Sequence, residues 1–454
     1  MLQQQLRAVS SLLTTMAIIG LCVGMTSTLL SLRATLEGFA TMTTAVIMSA
    51  YFIGYLFGAT RAPKDIRRVG YIRAFGGLAA IASIAILIQS MWVNPVVWFI
   101  TRFMSGFALS AMFVIAESWL NTMADNKSRG AMLSVYLVLI YAGLIAGQLI
   151  LGFADPATYV PFIIIALLIN VSLIPILASI SAEPNNDSPR KVPIRFLLKQ
   201  APLGIAAAFL IQACYAMFYG IGPVYAIYIG LSVQQVTLFM AAFIFGGLVL
   251  QSPVGLLSDK IDRRLVLAAV TACGTITAVI LSQLDGTTPY LIFFFMMLLG
   301  GCLLPVYSLA MAHTSDYLET DQMLGATGSI IKISGCGAIL GAPSVALLMQ
   351  FGAVDFFFIL MAVLTMLICV YSVYRTTRRA KAKDQGHTTF TSLAPAATSA
   401  EIMSTMVEAD TDEEHVLQEP SVPLDDIPEV EIPEYDLNDN NLNDTNLNET
   451  KDKH

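Results

Sequence analysis

Charge is what this sequence has least of. Asp, Glu, Lys and Arg make up 13% of its 454 residues, while hydrophobic side chains make up 56%. That little charge cannot clothe a water-soluble globule with so much apolar material, which excludes soluble enzymes and nucleic-acid-binding domains. Cysteine is scarce and unpatterned: Cys22, Cys214, Cys273, Cys302, Cys336 and Cys369 each lie inside an apolar run, with no C-x-x-C spacing. They read as small buried hydrophobes, so neither a disulfide framework nor a metal site is implied. The sequence also lacks H-E-x-x-H, Walker A and G-x-S-x-G patterns, the marks of common enzyme chemistries. No cofactor is called for, and without a nucleotide site any uphill work draws on an ion gradient. Nor is there an A-x-A site after Met1–Gln5 and Arg7, so the following apolar run reads as an uncleaved first span.

What charge there is falls unevenly. Residues 1–375 carry 19 Lys and Arg against 14 Asp and Glu, a balance of +5, whereas residues 376–454 carry 6 against 18, a balance of −12. A basic apolar body therefore precedes an acidic tail. In that tail prolines 420, 423, 428 and 433 alternate with carboxylates, and pentads from Asp436 to Thr450 repeat a Leu-Asn core. Such a segment has too little apolar surface to order itself, so residues 377–454 are expected to be disordered.

A bilayer crossing needs about 20 mainly apolar residues, and twelve runs in the body are long enough. They fall near 11–32, 40–60, 71–91, 95–120, 131–153, 157–180, 202–229, 234–257, 265–284, 288–312, 324–349 and 354–375. The polar stretch 181–201 separates the first six from the second, which gives an amino-terminal bundle over 1–180 and a carboxy-terminal bundle over 202–376. Basic residues sit in alternate loops, at Arg61, Lys64, Arg67, Arg68, Arg73, Lys127, Arg129, Lys260, Arg263 and Arg264, whereas the opposite loops hold Arg33 alone. By the positive-inside rule both termini are cytoplasmic in a multi-pass inner-membrane protein.

The most informative stretch is Gly255-Leu256-Leu257-Ser258-Asp259-Lys260-Ile261-Asp262-Arg263-Arg264, a glycine-led charged hairpin between two apolar runs. Charges so near hydrocarbon are costly unless they face protein or pair with one another. Gly255 permits close helix approach, Asp259 can face a helix N-terminus, and Arg263 and Arg264 can reach a carboxylate. The hairpin resembles motif A of the major facilitator superfamily of transporters, where this loop latches helices on the cytoplasmic side. The segment Arg102-Phe103-Met104-Ser105-Gly106 in the fourth run is similar to that superfamily's motif B, whose arginine is tied to substrate or proton coupling. Ser31-Leu32-Arg33, Ser49-Ala50-Tyr51-Phe52, Ala116-Glu117-Ser118-Trp119 and Ala312-His313-Thr314-Ser315-Asp316 resemble the YcaD-type bacterial branch over roughly residues 10–375.

The resemblance implies an all-α membrane protein of twelve helices in two pseudo-symmetric six-helix bundles, with a solute cavity at the midplane between them. It implies a secondary transporter of a small organic solute, coupled to protons or another ion. A multidrug exporter is one alternative; another is a transporter-derived receptor whose acidic tail recruits a cytosolic partner. An internal spacing near 195 sets Gly58 against Gly255, Arg67 and Arg68 against Arg263 and Arg264, Gly106 against Gly301, and Ala62 against Asp259.

The substrate and coupling candidates are Arg33, Arg102, Gln212, Tyr215, Tyr219 and Lys332. A guanidinium inside a helix keeps its charge and faces either a wet cavity or backbone carbonyls near the membrane surface. Gln212, Tyr215 and Tyr219 share one helix face ahead of Gly220-Ile221-Gly222-Pro223, where a helix can bend. Lys332 reads either as a cavity cation or as a lysine reaching out to the cytosol. The cytoplasmic gate candidates are Gly58, Arg67, Arg68, Glu117, Gly255, Asp259, Arg263, Arg264, His313 and Asp316. Glu117 lies fifteen residues beyond Arg102, about 22 Å along a helix, so it is expected to pair with Arg67, Arg68 or Arg73 at a wet helix end. His313 reads either as a titrating group near neutral pH or as a plain helix-end residue.

Overall fold

The computed structural model describes residues 9–123, 129–177, 193–318, 320–351 and 354–378. The acidic tail beyond Arg378 and most of the central linker lie outside the described residues. Every regular element described is a helix, and twelve are long and apolar enough to cross a membrane. In order these spans are Ser10–Leu36, Thr41–Ile66, Tyr71–Met91, Pro95–Leu120, Ala131–Leu151, Val160–Leu177, Pro202–Tyr228, Val233–Lys260, Arg263–Leu281, Pro289–Ser315, Gly328–Phe351 and Phe356–Arg378.

Local chemistry sets their limits. The first span turns into the second at Gly38 (φ 73°), and the seventh into the eighth at Gly230 (φ 88°), left-handed positions that suit glycine. Ser232 opens the eighth span through a capping box with Gln235. Pro175 has no N–H to continue the ladder, and the sixth span breaks at Ser172 between helices Val160–Val171 and Leu173–Leu177. The charged hairpin is shorter than the sequence suggests. Gly255 to Lys260 continue the eighth span, Arg263 starts the ninth, and only Ile261 and Asp262 connect them. The seventh span likewise runs unbroken through Pro223.

Twelve helices in two pseudo-symmetric bundles pack around an inner set. The second and fourth spans pack closely, as do the first and fifth, the eighth and tenth, and the seventh and eleventh. Glycines permit these approaches. A side chain at Gly54 would run into the carbonyl of Phe103, and one at Gly106 into that of Tyr51; Gly246 meets Met297 and Gly300 meets Phe243 in the same way. Gly143 and Gly147 abut Ala17 and Leu21, and Gly337 and Gly341 abut Phe209 and Ala213.

These paired contacts fix the internal repeat. Ala17 to Phe209, Tyr51 to Phe243, and Gly38 to Gly230 are spaced by 192 residues, while Phe103 to Met297, Gly106 to Gly300, and Gly143 to Gly337 are spaced by 194. This corrects the single spacing near 195. Gly106 corresponds to Gly300, and at 192 the counterpart of Asp259 is Arg67, not Ala62. The glycine-rich sequence accommodates a slip of a few residues, and only helix contacts remove it.

Candidate functional site

A central cavity of about 70 Å³ opens between the two halves. The first, second, fourth and fifth spans line it from one half, and the seventh and eleventh from the other. Its wall is mainly apolar, with Met48, Phe52, Leu109, Leu144 and Ile331 prominent. Among the described residues Arg102 is the one charged side chain in that wall. It is 4% exposed, and its Cζ lies 4.7 Å from the centroid of the Tyr51 ring. That cation–π contact suits a guanidinium in a low-dielectric site.

Of the other sequence candidates for this role, Gln212 and Tyr219 also line the cavity. Tyr215 turns away, donating its hydroxyl to the carbonyls of Leu303 (2.9 Å) and Leu304 (3.0 Å) on the tenth span. Arg33 pairs with Glu37 at 2.6 Å and donates to the carbonyls of Pro156 (3.2 Å) and Ala157, so it braces two turns outside the cavity wall. Lys332 is exposed and forms no part of the wall, although Ile331 beside it does. Sequence reasoning passed over Tyr51 and Tyr55 as cavity residues. Their i, i+4 spacing, with Met48 and Phe52 before and between them, puts one aromatic face of the second span on the cavity, a signal a periodicity reading can find.

On the face carrying the turns at Gly38 and Gly230 the two halves are bonded together. Thr41 Oγ1 and Tyr228 OH meet at 3.1 Å, and Ser31 Oγ donates to the carbonyl of Gly220 at 2.8 Å. Deeper in, Tyr141 donates to Gln251 at 2.7 Å between the fifth and eighth spans.

Around Asp262 lies a charged clasp. Arg263 is 2.6 Å from Asp316, 3.3 Å from Asp259, and donates to the carbonyl of Ala312 at 2.9 Å. Arg264 forks onto Asp262 at 2.6 Å and reaches the carbonyl of Arg375 at 3.3 Å. Asp262 also caps the ninth span by accepting from the Arg264 N–H. Burial pushes the Asp262 carboxyl up, but its hydrogen bonds from Arg264 prevail and hold it below the usual carboxylate range. His313 is buried beside this cluster with its ring 5.1 Å from that of Tyr317. These bonds join the eighth, ninth, tenth and twelfth spans, all within the second half. Asp262, part of the charged hairpin but not among the gate candidates, is a cap visible in the pattern of an aspartate just before a helical run.

The first-half counterpart is different. Arg61 and Asp65 form an exposed i, i+4 pair at 3.2 Å, and Arg68 and Arg73 are exposed. Gly58 packs against Phe107 and Ser110 of the fourth span. The Arg67 side chain lies outside the described residues. Glu117 is not at a wet helix end: it is 1% exposed, and Tyr136 donates to it at 3.4 Å. The fourth helix runs on to Met123, so Glu117 lies ahead of its last turn, packed against Tyr136 of the fifth span.

The Major Facilitator Superfamily family model matches this chain over residues 12–241 and 205–407. The chain belongs to that superfamily. An uncharacterized transporter of this type, YcaD of Escherichia fergusonii, is 26% identical over 358 residues, covering 78% of this chain and 92% of the relative. Its counterpart in Escherichia coli O139:H28 is 25% identical over 363 residues, with the same coverage. Among solved structures, the nucleoside transporter NupG superposes with a TM-score of 0.69 at 12% identity, covering 81% of this chain and 99% of NupG. The Escherichia coli fucose:proton symporter FucP, as a single-site variant, gives 0.55 at 14% identity, with 82% and 99% coverage. At such identities these two structures support the fold alone.

Proposed function

We propose that this major facilitator protein carries a small organic solute across a bacterial inner membrane by alternating access, in symport or antiport with protons. The observation that carries this reading is the central cavity between two bundles, with the buried guanidinium of Arg102 in its wall. Arg102, Gln212 and Tyr219 are the solute contacts in this reading. Rigid-body rocking of the bundles would pass the solute from one face to the other. With the basic loops cytoplasmic, the bonded Gly38 and Gly230 face is periplasmic, and the described state is closed on that side.

Proton coupling is assigned to Glu117. Of the carboxylates in the described spans, the Asp259 side chain is 30% exposed and that of Asp65 38%, whereas Glu117 is buried at 1%. A carboxyl buried within a moving bundle can alternate between protonated and ionised forms as its surroundings change. The comparisons lend no support to the exporter or receptor readings. The reading is tested in proteoliposomes loaded with a pH-sensitive dye and challenged with pools of small metabolites. One solute class should move protons in step with its own uptake. Solute flux with no proton movement would sink the coupling, and a complete lack of flux the transport reading.

A further inference from the structure

We infer that the solute is a small organic monoanion, a single carboxylate on an apolar or aromatic body, held by Arg102 over Tyr51. The inference rests on the transport reading above and specifies its cargo. Among the described residues Arg102 is the only charged side chain in the cavity wall, and it is 4% exposed. Among the described residues it has no ion pair or hydrogen bond; its Nε is buried without a partner, and its one specific contact is the Tyr51 ring. A guanidinium keeps its proton in proteins, so this site carries a positive charge across the physiological pH range. The planar fork of a guanidinium matches a carboxylate, with two parallel N–H···O bonds.

The rest of the wall narrows the cargo. One cation neutralises one carboxylate, and a second carboxylate would be left charged against Met48, Leu109, Leu144 and Ile331. A neutral polyol needs several polar partners, and the wall has few to give. Thr26 spends its hydroxyl on the Cys22 carbonyl at 2.6 Å, and Ser334 on that of Ile331 at 3.1 Å. The hydroxyls of Tyr51 and Tyr219 have no hydrogen-bond partner among the described residues. With the amide of Gln212 and the hydroxyl of Ser27 they suffice for one carboxylate and one or two further polar atoms.

The test measures thermal stability of the purified full-length protein with benzoate and butyrate, each beside its neutral amide, and with succinate, fucose and uridine. A ligand that binds the folded state raises its melting temperature. At least one monocarboxylate should stabilise the protein, with its amide, the dianion and the polyols inert. Arg102→Gln should abolish that response, and Arg102→Lys should retain part of it at a roughly tenfold higher concentration, since a lysine lacks the fork. Both variants are first checked for a wild-type gel-filtration profile, and the two substitutions guard against one failing to fold. An amide as effective as its acid, no response to either acid, or an unchanged response in Arg102→Gln would overturn the assignment. Binding in detergent needs no movement. A monocarboxylate that binds through Arg102 but is never carried would therefore sink the transport reading alone.

Discussion

Arg263 and Asp316 meet at 2.6 Å where the eighth-to-ninth connection touches the end of the tenth span. The Arg263 side chain is 4% exposed and that of Asp316 15%, so water screens the pair weakly. Asp259 and the Ala312 carbonyl hold the same guanidinium. This is a corner brace within the second bundle, tying three spans together.

Asp316→Asn should therefore lower stability without emptying the site. Breaking a fully buried pair costs about 3–5 kcal/mol, but Asp259 and the Ala312 carbonyl remain, so about 1–2 kcal/mol is expected. A melting temperature equal to wild type would show that the pair adds nothing.

Asp262 gives the brace a pH dependence. Its folded carboxyl lies below the ordinary value of about 3.9. Its contribution is thus fully present above that ordinary value, and is lost as pH falls through the depressed folded value. Asp262→Asn should reduce the melting temperature at neutral pH, and the gap to wild type should close in strong acid. A gap that stays constant from neutrality to about pH 2 would contradict this linkage.

Gly106 and Gly300 hold matching positions, each against a backbone carbonyl of the neighbouring span. Backbone cannot yield as a side-chain tip can, so Gly106→Leu or Gly300→Leu should each cost about 3 kcal/mol or more. The expected result is a poorly folded protein in both cases. Normal yield and monodispersity from one variant and not the other would break the repeat equivalence.

Glu117→Gln should separate coupling from carriage. The glutamine keeps a hydrogen-bond acceptor for Tyr136 but cannot exchange a proton at neutral pH. Uphill uptake driven by a pH gradient should fall at least about tenfold, while solute exchange at equilibrium persists. Undiminished uphill uptake would remove Glu117 from the coupling path.

Much of this architecture was legible in the sequence because spans depend on length and hydropathy, which a single chain displays directly. Their order and type follow from apolar runs of membrane length. Arg102, Gln212 and Tyr219 were legible as polar groups within such runs. The wall partner Tyr51 stood out in the sequence only as part of the family resemblance, because its role in the cavity comes from a guanidinium on another helix. Tyr215 and Arg33 went the other way: each is bonded to backbone carbonyls far along the chain, which no local pattern reveals. Glu117 reads as solvated because the apolar run thins there, yet neighbouring spans bury it. The repeat slipped because its register is written in interhelical glycine contacts, not in the charged loops that catch the eye.

Rocking of the two bundles about the Arg102 cavity should be visible as a change in distance across the bonded face. The most direct measurement is the distance between spin labels at Ala40→Cys and Gln234→Cys, both exposed on the face where the halves are bonded. With the native cysteines replaced, the labelled protein is measured without and with the monocarboxylate identified by thermal shift. Two distance populations are expected, their ratio changing on binding and shifting further in Thr41→Val, which removes the bond to Tyr228. A single narrow distance, the same in every condition and in both proteins, would contradict it.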